Sequence, residues 1–166
     1  MELILVRHAK SLHDHYVKND RERHLFERGY QDAALSADWC VANKVIPDFL
    51  VSSPAIRAFS TAMIFAEKLS YSPEKIILKD AIYNAECEGL LLVLRETMQK
   101  DGIFMFFGHN PGFTDLLNYL CGPVCANLPT ASVVQIKLTD KDQGRLEERS
   151  GKILRFFSGH KSFLLI

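Results

Sequence analysis

Short continuous runs of apolar residues alternate along the chain with stretches whose apolar residues recur every three to four positions. Such runs suit strands buried on both faces, and the three-to-four spacing suits the helices that cover them. Residues 3–6 predict a first buried strand. Residues 27–43 predict a helix with Ala33, Ala34, Ala37, Cys40 and Val41 along one face. A second strand follows at 49–51, a second helix at 55–69 and a short strand at 76–78. Residues 88–99 predict a helix carrying Leu91, Leu92, Val93, Leu94 and Met98. The most apolar strand of all is 103–107, followed by a helix at 113–120. Two late strands, 132–138 and 152–157, flank the charged stretch 140–150, which predicts a solvated turn. Strands and helices that alternate in this way predict an α/β protein, a three-layer α/β/α sandwich around a mostly parallel sheet. No repeat, low-complexity stretch or Pro/Gly/Ser-rich linker divides it, so residues 1–166 are expected to form a single domain.

Composition narrows the function. The chain has 166 residues, 48% of them hydrophobic, enough for a proper core, and 20 Lys+Arg balance 20 Asp+Glu. Zero net charge removes the broad electrostatic case for nucleic acid or an anionic membrane as partner. It leaves room for a local cluster of one sign, and residues 7–28 are rich in Arg, Lys and His while 80–101 are acidic. No apolar run approaches a membrane span, and the first residues are too short for a signal peptide, so a cytoplasmic protein is expected. Cys40, Cys87, Cys121 and Cys125 are too sparse for a disulfide framework. Cys121 and Cys125 lack the further ligands a zinc site needs. His13-Asp14-His15 could form a metal arm, but alternate residues on a loop read more simply as exposed. No metal is expected.

The chemistry lies just past the buried strands. Arg7 and His8 follow the first, Ser52-Ser53-Pro54 and then Arg57 follow the second, and Gly108-His109-Asn110-Pro111-Gly112 follows the 103–107 strand. In open α/β sheets the carboxyl ends of strands gather at one edge, where ligands bind. Arg7, His8, Arg57 and His109 are therefore expected in one crevice. Ser53-Pro54 and Asn110-Pro111 each fit an N-cap followed by proline at the first helical position. Helix N-termini carry unpaired N–H groups that suit an anion, and arginine adds a fork of donors matched to phosphate oxygens.

Leu5-Val6-Arg7-His8-Ala9-Lys10-Ser11 resembles the opening signature of the histidine phosphatase, or phosphoglycerate-mutase-like, superfamily. Ser52-Ser53-Pro54 through Arg57 and Thr61-Ala62 resembles its second motif, and Gly108-His109-Asn110-Pro111-Gly112 its third. Within that superfamily the pattern is most similar to the short SixA-type phosphohistidine phosphatases. The resemblance implies that His8 attacks phosphorus through a ring nitrogen and forms a phosphohistidine that water hydrolyses. Arg7, Arg57 and His109, the last best placed if protonated, would hold the non-bridging oxygens and offset their charge. These cations would take the role that magnesium plays elsewhere, so no cofactor is implied.

Less settled are the residues around this core. The stretch from Asp20 to Gly29 resembles the D-x-x-R-P-L-x-x-x-G segment of the SixA-like branch, with His24 in place of the proline. Arg23 there reads either as a phosphate or rim ligand or as a surface arginine. Lys10 and Ser11 could add donors, though Lys10 could equally face solvent. For the acid that protonates the leaving group, Asp80, Glu86 and Glu88 are candidates. Glu86 comes first because it precedes a helix near the expected crevice, against the plainer reading of a solvated glutamate at a helix start. Little length remains for a lid, and an open crevice would admit a loop or helix of another protein. The expected partner is a phosphohistidine-bearing protein. The alternatives are a small phosphorylated metabolite, or a regulatory module that binds phosphate without turnover.

Overall fold

Every residue from Leu3 to Val6 is almost wholly buried, and successive side chains enter different cores. Leu3 and Leu5 join one apolar cluster, and Ile4 and Val6 the other. A strand covered on both faces must be apolar at every position, which is why no polar alternation appears here. In the computed structural model, which describes residues 1–12, 19–139 and 146–159, this segment is β1 (Glu2–Arg7). The chain continues through α1 (Glu27–Ala42), β2 (Phe49–Ser52), α2 (Ile56–Lys68), β3 (Ile77–Leu78) and α3 (Cys87–Thr97). It then forms β4 (Ile103–Gly108), α4 (Gly112–Cys121), β5 (Val133–Leu138) and β6 (Gly151–Phe157).

The strands form one six-stranded sheet in the order β3-β2-β4-β1-β5-β6. β1, β2, β3 and β4 run parallel, and β5 runs antiparallel to both of its neighbours. Helices α1 and α2 cover one face, where Ala37, Cys40, Ala62, Phe65 and Ala66 meet Met105 and Phe107. On the other face α3 and α4 bring Leu91, Leu94, Phe113 and Leu117 against Phe104 and Phe106. The three-layer α/β/α sandwich expected from the sequence is therefore the observed fold. Among the described residues no helix is long and apolar enough to cross a membrane.

Four local expectations need correction. Val41 is 50% exposed, whereas Ser36 is buried on α1 with its hydroxyl donating to the Ala131 carbonyl at 2.7 Å. A hydrogen-bonded serine thus occupies the stripe that the apolar pattern assigned to Val41. Leu92 is 57% exposed, because the buried stripe of α3 runs through Leu90, Leu91, Val93 and Leu94. Neither Ser53 nor Asn110 is an N-cap: α2 is preceded by Ala55 and α4 by Pro111. Their side chains are used otherwise, Ser53 on His109 and Asn110 on Asn127 and Leu128. The stretch 140–145 and the His13-Asp14-His15 sequence lie outside the described residues.

Candidate active site

Strand register assembles the site. Arg7 pairs opposite Gly108 across β1 and β4, and Ser52 opposite Phe107 across β2 and β4, so three strands end within about a residue of one another. Past those ends, the His8 amide donates to the Gly108 carbonyl at 3.0 Å and the Ser53 amide to the Phe107 carbonyl at 3.0 Å. The Thr61 hydroxyl donates to the Arg57 carbonyl at 2.7 Å and accepts from the Ala9 amide at 3.1 Å. That bond ties the loop after β1 to the first turns of α2. The His8 and His109 rings then lie 5.1 Å apart between centroids.

His8 is 8% exposed. Its Nδ1 lies 2.8 Å from the Ala9 carbonyl, which can only accept, so Nδ1 carries the proton and Nε2 keeps the lone pair. Burial first of all holds its pKa down to about 4. The Ala9 bond opposes this, and the charges of Arg57, Arg7 and Arg23 add to it. A neutral imidazole with a fixed tautomer is the form required to attack phosphorus.

His109 differs from the expectation of a protonated ring. Burial, the neighbouring His8 and Arg57 push its pKa down to about 3, only partly offset by Asp20. It is neutral at ordinary pH. Its Nε2 lies 2.9 Å from the Ser53 hydroxyl, and its Nδ1 is buried without a partner. Such orphaned atoms recur around it: the Nε atoms of Arg7 and Arg57 are also buried and unpartnered. Leaving a buried donor unsatisfied costs about 1–3 kcal/mol, more when it is charged. Acceptor oxygens of a ligand can satisfy the two arginine Nε donors, and His109 Nδ1 joins them as a donor when its ring is protonated.

Several of the other nitrogens are engaged within the protein. Arg7 Nη1 donates to the Leu128 carbonyl. Arg57 donates from Nη1 to the Asp20 carbonyl at 2.6 Å and from Nη2 to Asp20 Oδ2 at 2.8 Å. Arg23 Nε lies 2.9 Å from Asp20 Oδ1, and the Arg23 charge acts on both histidines, which puts Arg23 at the site rather than on a remote surface. Lys10 and Ser11 make no hydrogen bond or ion pair with Arg7, His8, Arg57 or His109 among the described residues. Lys10 is exposed, and Ser11 is buried in a bridge with Leu25. The backbone beside them is tightly packed, since a Cβ on Gly29 would collide with the Lys10 carbonyl. His24, in the proline position, is exposed, and its carbonyl accepts from the Leu12 amide at 3.0 Å.

Two contributors escaped the sequence reading. Tyr83 sets its ring edge-on to His109 at 5.6 Å and donates to Asp20 Oδ2 at 2.8 Å. Asp20 stood in the recognised D-x-x-R stretch, a signal that could have found it; nothing local marks Tyr83. Glu86 is exposed at the cap of α3 and makes no cap hydrogen bond with its side chain. It is three residues past Tyr83, and its neighbour Ala85 packs so tightly on α4 that a Cβ on Gly112 would collide with the Ala85 carbonyl.

The sequence model of the histidine phosphatase superfamily, branch 1, matches residues 3–89, just over half of the chain and the part that holds Arg7, His8 and Arg57. The chain belongs to that superfamily. Structures similar to this histidine phosphatase fold include SixA from Agrobacterium tumefaciens, with a TM-score of 0.80 and 22% identity over 96% of this chain and 98% of that one. The protein histidine phosphatase SixA complexed with tungstate gives a TM-score of 0.79 at 20% identity over 95% and 97% of the two chains. A mycobacterial glucosyl-3-phosphoglycerate phosphatase gives 0.64 at 15% identity over 92% and 96%. No curated protein matches the chain in sequence.

The depressed histidines make stability depend on pH. Both rings are neutral when folded and take up protons near pH 6.5 when unfolded, so below 6.5 the unfolded state binds more protons. The stability they contribute is complete above pH 6.5 and is lost as pH falls toward 4 and then 3. The expected result is a melting temperature that drops steadily from pH 6.5 to 4, less steeply in His109→Gln. NMR of the free protein should show His8 titrating well below 6; a midpoint near 6.5 would contradict the buried, neutral ring.

Proposed function

We propose that the protein is a phosphatase that works through a phosphohistidine on His8 and removes phosphoryl groups from phosphohistidine on another protein. The observation that carries the first half is the set of buried, unpartnered nitrogens on Arg7, Arg57 and His109, beside an imidazole fixed as a nucleophile. A phosphoryl group has three non-bridging oxygens to meet them, and its charge would favour protonation of His109. The His8 Nε2 lone pair forms an N–P bond while the bond from phosphorus to the leaving atom breaks. The leaving atom takes a proton from Glu86 or from water. Water then attacks phosphorus, the N–P bond breaks, and orthophosphate departs with His8 restored.

Support for the second half comes from the leaving group and from the shape of the chain. An imidazole leaves as a nitrogen base that can already carry a proton, so it needs less acid catalysis than an alkoxide. Glu86 is exposed and makes no cap hydrogen bond, which suits a substrate with little need of an acid. The SixA proteins are similar over nearly the whole of both chains. The four cysteines are free thiols, in keeping with a reducing, cytoplasmic compartment.

The test compares rates on a phosphohistidine protein, a phosphoserine peptide and sugar phosphates. The phosphohistidine protein should have the highest kcat/KM, and Glu86→Gln should slow aryl and alkyl phosphates more than phosphohistidine. Preference for a sugar phosphate would favour a metabolite phosphatase, the activity named for the mycobacterial neighbour. Phosphate binding with no turnover of any substrate would make the protein a regulatory module.

A further inference from the structure

Asp20 stands half-exposed on a single 3-10 turn, Asp20–Glu22, yet it contacts more of the site than any other carboxylate among the described residues. Its main-chain carbonyl accepts from Arg57 Nη1 at 2.6 Å, and its Oδ2 accepts from Arg57 Nη2 at 2.8 Å and from the Tyr83 hydroxyl at 2.8 Å. Its Oδ1 faces Arg23 Nε at 2.9 Å. The turn is held independently of these contacts, because the Asn19 side chain accepts from the Arg21 amide at 3.1 Å and donates to Glu22 Oε1 at 3.1 Å.

We propose that Asp20 is a positioning residue that clamps Arg57 from behind, so that the guanidinium presents its Nε edge to the phosphoryl group. The geometry divides the guanidinium in two. Both Nη atoms are engaged by one residue, through its backbone and its side chain, while the buried Nε is left without a partner. An arginine on a long flexible stem loses affinity for an oxyanion unless something fixes its fork, and a two-point contact fixes both direction and roll. The same carboxylate offsets repulsion between Arg57 and Arg23, which approach the site together. Through the Tyr83 hydroxyl it also steadies the ring packed edge-on against His109. One side chain thus couples the segment before α1, the start of α2 and the loop before α3.

The rival is that Asp20 is a competitor, an internal anion that phosphate must displace from Arg57. Tungstate binding, measured by calorimetry on the full chain, separates the two and depends neither on turnover nor on the substrate proposed above. A clamp predicts that Asp20→Asn weakens tungstate binding about tenfold, the loss of one charge-assisted contact, and raises KM for p-nitrophenyl phosphate. In an Arg57→Ala background, Asp20→Asn should change tungstate affinity by less than about twofold, because the guanidinium it positions is gone. Asp20→Glu, which keeps the charge, should recover part of the loss and serves for the same cycle if Asp20→Asn does not fold. Tighter tungstate binding in Asp20→Asn, unchanged binding, or effects that simply add to those of Arg57→Ala would each overturn the clamp.

Discussion

Replacing His8 with alanine is expected to lower turnover of every phosphoryl substrate by at least about four orders of magnitude, the scale seen when a covalent nucleophile is removed. The expectation follows from geometry. Among the described residues, only one nitrogen in the site combines a fixed tautomer, a free lone pair and a neutral ring at ordinary pH, and that is Nε2 of His8. His109 is neutral too, but its Nε2 is engaged by the Ser53 hydroxyl. The decisive measurement pairs kinetics with trapping. Rapid quench of the wild-type protein with a labelled phosphoryl donor should give an acid-labile label on His8, absent from His8→Ala. Tungstate should still bind the variant, because the arginines remain. Activity within tenfold of wild type in pure His8→Ala would remove the phosphohistidine mechanism altogether.

Arg57→Ala carries the second largest effect, a loss of about 10²–10³-fold in kcat/KM, comparable to deleting one preorganised donor from an oxyanion site. Arg57 is only 4% exposed in its side chain, so its charge acts where water screens poorly. Its guanidinium bridges the Asp20 turn to α2, so alanine removes both a ligand to the oxygens and the brace that orders the rim. Arg57→Lys should not restore the rate. An ammonium keeps the charge, but its three donors sit on one nitrogen. They cannot reproduce the planar fork that holds two Asp20 atoms on Nη1 and Nη2 and leaves Nε for a substrate oxygen. A lysine variant with near wild-type kcat/KM would show that charge alone matters and that the fork does not.

Much of this protein was legible from the order of its residues. Apolar runs marked β1, β2 and β4 because strands buried on both faces leave no room for polar alternation. The gap between runs was filled by helices of the right period, and that fixed the three-layer architecture. The motifs after those strands named Arg7, His8, Arg57 and His109 before any coordinates did. Apart from Leu92, errors fell where a polar group found a tertiary partner. Ser36 took a place in the α1 stripe because the Ala131 carbonyl accepts from it. Ser53 gave up its expected capping role for His109, and Asn110 for the loop at Asn127 and Leu128.

What the sequence alone determined was the fold and which polar residues gather at one sheet edge, since both follow from local periodicity and from residue types at strand ends. Three things depended on folding. The tautomer of His8 was decided by a carbonyl one residue away but turned inward by the sheet edge. The neutrality of His109 was decided by burial beside Arg57 and His8, a matter of distance and dielectric that no spacing encodes. The clamp on Arg57 was decided by a carboxylate 37 residues earlier and a tyrosine 63 residues past that carboxylate. Such contacts arise only when the packed sheet brings separate segments to one edge, so an isolated Asp or Tyr carries no local mark of them.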